Sequence, residues 1–181
     1  ARVLSARFHC AWRMTRAQEP FIPLSVLRDG AMRVGTAVSF FAVGAVIALT
    51  IILPLYAQLA LGLSVTGSAA AIIALQGAAT LTSMIGGQLL VRFVRYKRVP
   101  VAGLSLSVTA LIPLALDPTG FSPAAALGLI ALVGLGLGPT FPFTIVVVQN
   151  AVPLHQLGIA TGTLNFFRAL GLTFIVAGFG A

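Results

Sequence analysis

The chain has 181 residues, of which 59% are hydrophobic and 8% are charged. Soluble domains carry about 25% charged residues, so this composition excludes an ordinary soluble domain and indicates an integral membrane protein. From Val34 to Val91 the chain runs for 58 residues without a Lys, Arg, Asp or Glu. Because about 20 apolar residues in a helix cross a bilayer, this stretch predicts two spans and a turn.

The net charge of +8 does not indicate nucleic-acid binding. Ten of the eleven basic residues lie in two groups at the ends of apolar runs: Arg2, Arg7, Arg13, Arg16, Arg28 and Arg33, then Arg92, Arg95, Lys97 and Arg98. Charges in such places set the topology of a membrane protein and do not form a nucleic-acid footprint. We therefore expect no nucleic-acid partner.

Cysteine and histidine usage gives no sign of a metal or catalytic centre. The single Cys10 excludes an internal disulfide and a multi-cysteine metal site. His9 and His155 are isolated, so no catalytic constellation is formed. We expect neither a bound cofactor nor enzymatic activity.

Taken in chain order, the apolar runs predict an all-α bundle of about five membrane spans. Residues 1–33 form a basic lead-in segment, and the bundle covers residues 34–181. The predicted spans are about 34–61, 68–93, 99–116, 123–148 and 158–181. Helices are expected because open sheets and loops leave backbone groups unsatisfied in lipid. Pro54, near the far end of the first span, is expected to kink it.

The basic groups also predict orientation. Positive charge is retained on the cytoplasmic side, so the N-terminal segment and the 92–98 loop are expected there, and the turns at 62–67 and 117–122 outside. The 149–157 turn then returns to the cytoplasm. The chain starts at Ala1 without Met and stops at Ala181 within an apolar run, and we expect it to be part of a longer polypeptide.

Glycines and prolines interrupt the later spans. Gly134 and Gly138, and then Gly158 and Gly162, are four residues apart, so each pair lies on one helix face and lets another backbone approach closely. Two interpretations stay open at this point. The glycines either provide tight static packing or mark helices that bend or slide during transport.

Several motifs together resemble the major facilitator superfamily, in particular its fourteen-span drug:proton antiporter branch. The segments that carry the resemblance, which extends from Glu19 onward, are Glu19-Pro-Phe-Ile-Pro-Leu-Ser-Val-Leu-Arg28, Leu53-Pro-Leu-Tyr-Ala-Gln-Leu-Ala-Leu-Gly-Leu-Ser64, Gly87-Gln-Leu-Leu-Val-Arg92-Phe-Val-Arg95-Tyr-Lys97, Val148-Gln-Asn-Ala-Val-Pro153, Gly158-Ile-Ala-Thr-Gly162 and Phe166-Phe-Arg168-Ala-Leu-Gly171. Their order matches the C-terminal half of such a transporter.

The resemblance implies a partner and an energy source. The chain would pair with the N-terminal half of the same transporter in the lipid bilayer and would use a proton gradient. The Arg92, Arg95, Lys97 and Arg98 loop resembles the family's cytoplasmic gate. Val91 stands where that loop motif usually has an acid, and Val94 where it has Gly, so the charge pairing of the gate is incomplete here.

Arg168 is the one formal charge well inside an apolar run. An arginine at mid-membrane costs about 2.5–3.5 kcal/mol on insertion scales, so it is expected to face the bundle interior or a water-filled vestibule. Asn165 lies three residues earlier on the same face. Arg168 either neutralises the helix-end carbonyls of a neighbour, or lines the substrate pathway or pairs with an acid of the other half.

Gln76, Phe40 and Phe141 complete the candidate pathway. An unpaired amide inside a span is costly, so Gln76 is expected either to bond a neighbouring helix or to contact substrate. The phenylalanines either form an aromatic cavity for lipophilic solutes or face lipid and core.

No Asp or Glu lies within a predicted span, because Glu19, Asp29 and Asp117 fall in loops or at ends. By resemblance, the carboxylates that couple transport to protons belong to the N-terminal half. We expect the C-terminal half of an exporter of lipophilic drugs or small molecules that works by proton-coupled alternating access in the cell membrane. The alternatives are a permease of the same superfamily for another small solute, or a stand-alone or nonfunctional five-span fragment.

Overall fold

A computed structural model describes the backbone of residues 30–92 and 98–179 and the side chains of residues 30–88 and 99–178. The α-helices in these ranges are α1 (Gly30–Leu59), α2 (Val65–Arg92), α3 (Arg98–Leu116), α4 (Pro123–Leu137), α5 (Thr140–Asn150) and α6 (Leu157–Phe179), and a short 3-10 helix covers Leu154–Gln156. Five segments are long and apolar enough to cross a membrane, and α4 and α5 together make the fourth. The predicted all-α bundle of about five spans is therefore confirmed.

The helix ends follow from local chemistry. Gly62 in the turn after α1 has a φ of 65°, a left-handed conformation that glycine adopts without a steric penalty. Ser122 caps α4 by accepting a hydrogen bond from the Ala125 N–H, and Pro123 occupies the first turn, where no partner for its nitrogen is needed. Both turns reverse the chain within a few residues.

Spans that are consecutive in the chain alternate in direction. Gly35 of α1 packs on Val148 of α5, whereas Ser39 is linked through Arg168 to Thr144, four residues earlier, so these two helices are antiparallel. Arg168 of α6 bonds Ser39 of α1, and Ile175 lies against Gly44 farther along both helices, so the first and fifth spans run parallel. We call the end of the bundle at which α1, α3 and α6 begin the Gly30 end.

The fourth span is interrupted where α4 meets α5. Pro139 has no N–H with which to continue the α-helical bonding of α4, and α5 begins one residue later at Thr140. Gly138 still donates to the Gly134 carbonyl at 3.0 Å, while the Phe141 N–H turns to the Gly138 carbonyl, three residues earlier, at 3.3 Å. The span therefore consists of two helices that meet at Gly138 and Pro139.

The first helix differs by a few residues from the predicted first span of about residues 34–61. It begins at Gly30, and Met32 is completely buried against Val148, Ala160 and Leu164. Burial of Met32 favours an early helix start over a solvated loop. At the other end α1 continues through Pro54 and stops at Leu59.

The main apolar core lies between the first four spans. It consists of buried residues of α1, α2, α3 and α4: Val46, Leu53, Ala57, Ala71, Leu75, Ala110, Leu114, Ala126, Ile130, Val133 and Leu137. Hydrogen bonds tie the turns at the end opposite Gly30, where the Tyr56 hydroxyl donates to the Pro118 carbonyl at 2.9 Å and the Gln58 amide to Ser68 Oγ at 3.3 Å. This part of the bundle is mainly apolar inside.

Candidate functional site: a buried arginine between three spans

Arg168 joins three membrane spans. Its Nε donates to Ser39 Oγ of α1 at 2.6 Å, and its Nη2 donates to Thr144 Oγ1 of α5 at 2.9 Å. Both hydroxyl-bearing residues are buried, each 1% exposed, while Arg168 itself is partly buried. We call Ser39, Thr144 and Arg168 the Arg168 cluster.

Small residues bring the three helices close enough for these bonds. A Cβ on Gly171 would stand 2.6 Å from the Phe40 carbonyl oxygen, and a Cβ on Gly35 would stand 3.2 Å from the Val148 side chain. Side chains at these two positions would hold α1 away from α6 and α5. Glycine at these two positions therefore lets the helices approach closely enough for Arg168 to reach both hydroxyls.

The cluster lies deep in the bundle. Arg168 is eleven residues from the start of α6 at Leu157, which places its Cα about 16 Å along the helix at 1.5 Å per residue. Within the described residues the one carboxylate is Asp117, and it lies in the turn at the end opposite Gly30. The hydroxyls that hold Arg168 are neutral, so its charge is not neutralised within this part of the chain.

Two further buried hydroxyls lie on the same helices. Thr36 precedes Ser39 by three residues on α1, and Thr140 precedes Thr144 by four on α5, so each shares a face with a member of the Arg168 cluster. Thr36 is 4% and Thr140 0% exposed. Neither Oγ1 has a hydrogen-bond partner among the described residues. The α1–α5 interface is therefore more polar than the apolar core of the first four spans.

Asn165 is expected to share a face of α6 with Arg168. It lies three residues before Arg168 on α6 and is exposed. On the same side of α6, Gly158, Gly162 and Ala169 are also exposed. Asn165 and Arg168 therefore border an open face of this helix, whereas Ala160 and Leu164 face the interior.

Gln76 contacts a neighbouring helix. Its Nε2 donates to Thr50 Oγ1 of α1 at 3.4 Å, and the Thr50 hydroxyl in turn donates to the Val46 carbonyl at 2.7 Å. This long bond matches the helix–helix interpretation of Gln76. The amide is partly buried between α1 and α2 and does not reach the Arg168 cluster.

The predicted aromatic residues are not brought together. Phe40 packs on Phe41 edge to face with ring centres 5.2 Å apart, and on Phe174 of α6 at 6.2 Å. Phe141 packs against the apolar core of the first four spans. The two candidate phenylalanines thus lie in different interfaces.

The two predicted glycine pairs differ. Cβ atoms on Gly134 and Gly138 would collide with α2, at the Leu75 carbonyl and at the Ala79 carbonyl and Thr82 hydroxyl respectively, so close backbone approach is found here. No atom of the described chain lies within 4 Å of a Cβ placed on Gly158 or Gly162. The expected close packing at this second pair is absent from the described residues, because the pair lies on the open face of α6.

Most of the predicted gate loop lies outside the described residues. Arg95 and Lys97 lie outside the described residues, while Arg92 ends α2 and Arg98 begins α3 with side chains that are not described. In chain order the loop joins the end of α2 to the start of α3. Its role as a gate stays a prediction.

A separate cavity of about 600 Å³ opens at the Gly30 end between α1, α3 and α5. Its lining is apolar apart from the side chain of Asn150, with Val34, Leu104 and Val147 among its walls. It contains none of the predicted pathway residues.

Sequence reasoning identified Arg168 but missed its partners. Ser39, Thr144, Thr36 and Thr140 were not singled out, because hydroxyl residues are common in membrane helices and commonly bond their own backbone. Their spacing was the available signal, since three- and four-residue intervals place each pair on one face.

Comparison with known proteins decides the family. The Major Facilitator Superfamily model matches residues 4–176. The chain belongs to the Major Facilitator Superfamily. It is 26% identical over 168 residues to the multidrug transporter protein MdtP of Bacillus subtilis, covering 92% of this chain and 31% of that protein.

Two further relatives carry names related to drug export. A tetracycline resistance determinant of Streptomyces rimosus is 29% identical over 151 residues, covering 82% of this chain and 43% of the relative. The efflux pump DEP3 of Alternaria brassicicola is 30% identical over 141 residues, covering 76% of this chain and 24% of the relative. The chain spans less than half the length of these relatives. No solved structure gives a significant match.

Members of the Major Facilitator Superfamily are transporters rather than enzymes, and the membrane spans place this chain in a lipid bilayer. Among the described residues no group of three His, Cys, Asp or Glu side chains is arranged to hold a metal ion. The candidate site is a polar contact between three membrane helices.

Proposed function

We propose that the chain forms the C-terminal half of an exporter of lipophilic drugs or other small molecules. The observation that carries this proposal is the Arg168 cluster, in which a partly buried cation at mid-span is bonded to two other helices. Ionisable groups inside membrane spans are expensive and commonly mark a transport pathway. Three relatives named for multidrug transport, tetracycline resistance and efflux support drug export.

The cycle that we propose is alternating access. Two helical bundles, this one and the N-terminal half of the same transporter, rock about a site near the midplane. The interruption at Gly138 and Pro139 supplies a point at which the fourth span changes its angle, since a proline breaks the bonding of a membrane helix. Arg168, Asn165 and Gln76 would face the pathway during parts of the cycle.

Energy coupling belongs to the other half in this proposal. The predicted spans contain no Asp or Glu, and a proton-coupled cycle needs a group that takes up and releases a proton. The N-terminal half would therefore provide the coupling carboxylates. The transporter would reside in the cell membrane with the N-terminal segment of this chain and the 92–98 loop in the cytoplasm.

Transport in membrane vesicles tests this proposal. Inside-out vesicles that contain the longer polypeptide should accumulate a lipophilic dye when a proton gradient is imposed, and a protonophore should abolish the uptake. Vesicles with the 181-residue chain alone should take up no more dye than empty vesicles. Gradient-driven uptake by the chain alone would overturn the half-transporter proposal.

Cysteine labelling tests the orientation. In a Cys10→Ser background, a cysteine introduced at Lys97 should react with a membrane-impermeant maleimide in inside-out vesicles. A cysteine introduced at Gly120, in the turn at the other end of the bundle, should react in intact cells. The reverse pattern would contradict the proposed topology.

A permease for another small solute is the second candidate. The open face of α6 beside Arg168 carries a polar amide at Asn165, which suits a hydrogen-bonding solute as well as a lipophilic drug. A solute screen with the longer polypeptide distinguishes the two, because a permease would transport a hydrophilic solute and leave lipophilic dyes in the cell.

A further inference from the structure

The sign of the charge inside the bundle limits what this half can bind. Arg168 is the one formal charge in the interior of the spans, and no carboxylate lies within them. A lipophilic cation that entered beside α6 would meet a guanidinium and, among the described residues, no carboxylate within the spans. A solute with an anionic group would meet a complementary charge in a medium that screens it little.

The guanidinium of Arg168 has N–H donors that make no hydrogen bond within the described chain. It carries five N–H groups, and its two bonds within the described chain use Nε and Nη2. Nη1 has no acceptor among the described residues. The bonds to Ser39 and Thr144 fix the plane of the guanidinium, so that the remaining donors are oriented before a ligand arrives.

The surface next to the guanidinium is open. Asn165, Ala169 and Leu172 lie within about one turn of Arg168 on the same side of α6, and all three are exposed. Leu172 and Ala169 offer apolar contact, while Asn165 offers an amide. Gly162, one turn further along, leaves room for a planar ring because nothing lies within 4 Å of its Cβ position.

We propose that the Arg168 cluster recognises the anionic group of an amphipathic aromatic solute, such as a carboxylate or phenolate, and selects against lipophilic cations. The proposal deepens the proposed export function by giving the substrate a charge, and its physiological meaning rests on that function. The binding preference itself belongs to this chain and needs no proton gradient.

Equilibrium binding to the 181-residue chain in phosphatidylcholine nanodiscs tests the preference. The probes are an anthracene carboxylate and an anthracene trimethylammonium, which share a ring system and differ in charge. Phosphatidylcholine carries no net charge, so an anionic headgroup does not compete. We expect the carboxylate to bind at least about tenfold more tightly than the ammonium, since a hydrogen bond to a charged group contributes roughly that factor.

Three variants locate the preference. Arg168→Gln should reduce carboxylate affinity about tenfold and leave the ammonium unchanged or slightly tighter, whereas Arg168→Lys should retain part of the preference because it keeps the charge without the planar fork. Arg33→Gln is the matched control, because it removes the same charge from an exposed position near the Gly30 end of α1. An equal loss in Arg33→Gln, or no loss in Arg168→Gln, would overturn the proposal.

A second measurement keeps Arg168 in place. In a Cys10→Ser background, a nitroxide is attached to the cysteine of Phe166→Cys or of Val108→Cys. Both positions are exposed and lie at similar depth, about 14 Å and 15 Å along helices that start at the Gly30 end. The bound carboxylate should be quenched from position 166 and not from position 108, whereas equal quenching would mean that the probe is dissolved in lipid and would overturn the site.

The export proposal and the anion-binding proposal can be contradicted separately. If the longer polypeptide exports nothing but the chain still binds the carboxylate through Arg168, the export function is wrong and the anion site stands. If export occurs but the chain prefers the ammonium, the anion site is wrong and the export function stands.

Discussion

The fourth and fifth spans carry glycine pairs with the same four-residue spacing in different surroundings. Gly134 and Gly138 are buried against α2, where an added Cβ would collide with backbone carbonyl oxygens. Gly158 and Gly162 lie on the open face of α6 with nothing within 4 Å. The spacing therefore predicts a smooth helix surface, but whether another helix lies on that surface depends on the rest of the fold.

We expect the largest loss of stability from adding a side chain to the buried pair, Gly134 and Gly138. In Gly134→Ala the new Cβ would meet the Leu75 carbonyl, with Ala78 Cβ at 3.1 Å, so α2 and α4 must separate. We expect a loss of about 2–3 kcal/mol in the free energy of unfolding, as for overpacked cores. Denaturation by SDS in mixed micelles measures it.

Gly162→Ala is the matched control for that substitution. It adds the same methyl group to an open helix face, and alanine is favoured over glycine in a helix interior by roughly 0.8–1 kcal/mol. The control should therefore be neutral or stabilising. Equal destabilisation by both variants would show that the difference between the two pairs does not exist in solution.

How far the sequence predicted this difference depends on the kind of contact. Charge-free runs and turn residues predicted five helical spans, because burial of apolar length in lipid is a local property of each segment. The partner of a helix face is not local. The residues around Gly134 do not indicate that Leu75 packs against it. Those around Gly158 do not indicate that no described residue packs there.

The same distinction applies to the candidate site. Arg168 was identifiable because a charge within an apolar run is costly wherever the helix packs. Ser39 and Thr144 became its partners through tertiary packing 129 and 24 residues away in sequence, so residue type alone did not select them from other hydroxyls. Gln76 was intermediate, since a buried amide requires some partner but does not specify Thr50.

Gly171 allows the comparison to be made within one helix. It faces α1, where a Cβ would stand 2.6 Å from the Phe40 carbonyl oxygen, while Gly162 on the same helix faces open space. We expect Gly171→Ala to cost about 1–2 kcal/mol of stability, less than Gly134→Ala because the approach is less tight. The same SDS titration measures it, and a stabilising effect would place α6 farther from α1 than the structure does.

Two neighbouring hydroxyls on α1 extend the comparison from glycines to polar groups. Ser39 accepts from Arg168 at 2.6 Å, whereas Thr36, equally buried, has no partner among the described residues. Ser39→Ala should cost about 1 kcal/mol, since a bond to a charged donor is lost. Thr36→Val keeps the shape and removes an unpaired hydroxyl, so it should be neutral or stabilising in the same titration. A larger cost for Thr36→Val than for Ser39→Ala would contradict this assignment of partners.

The smallest effect is expected at Gln76, where a polar contact joins the mainly apolar pair α1 and α2. Its bond to Thr50 is 3.4 Å long, at the weak end of hydrogen-bond geometry, and side-chain hydrogen bonds between membrane helices average about 0.6 kcal/mol. Gln76→Leu should therefore lower stability by no more than about 0.6 kcal/mol. Thr50→Val should cost less in the Gln76→Leu background than in the unchanged chain, because there it removes only the bond to the Val46 carbonyl. Strictly additive losses would contradict a Gln76–Thr50 bond that stabilises the contact between the first two spans.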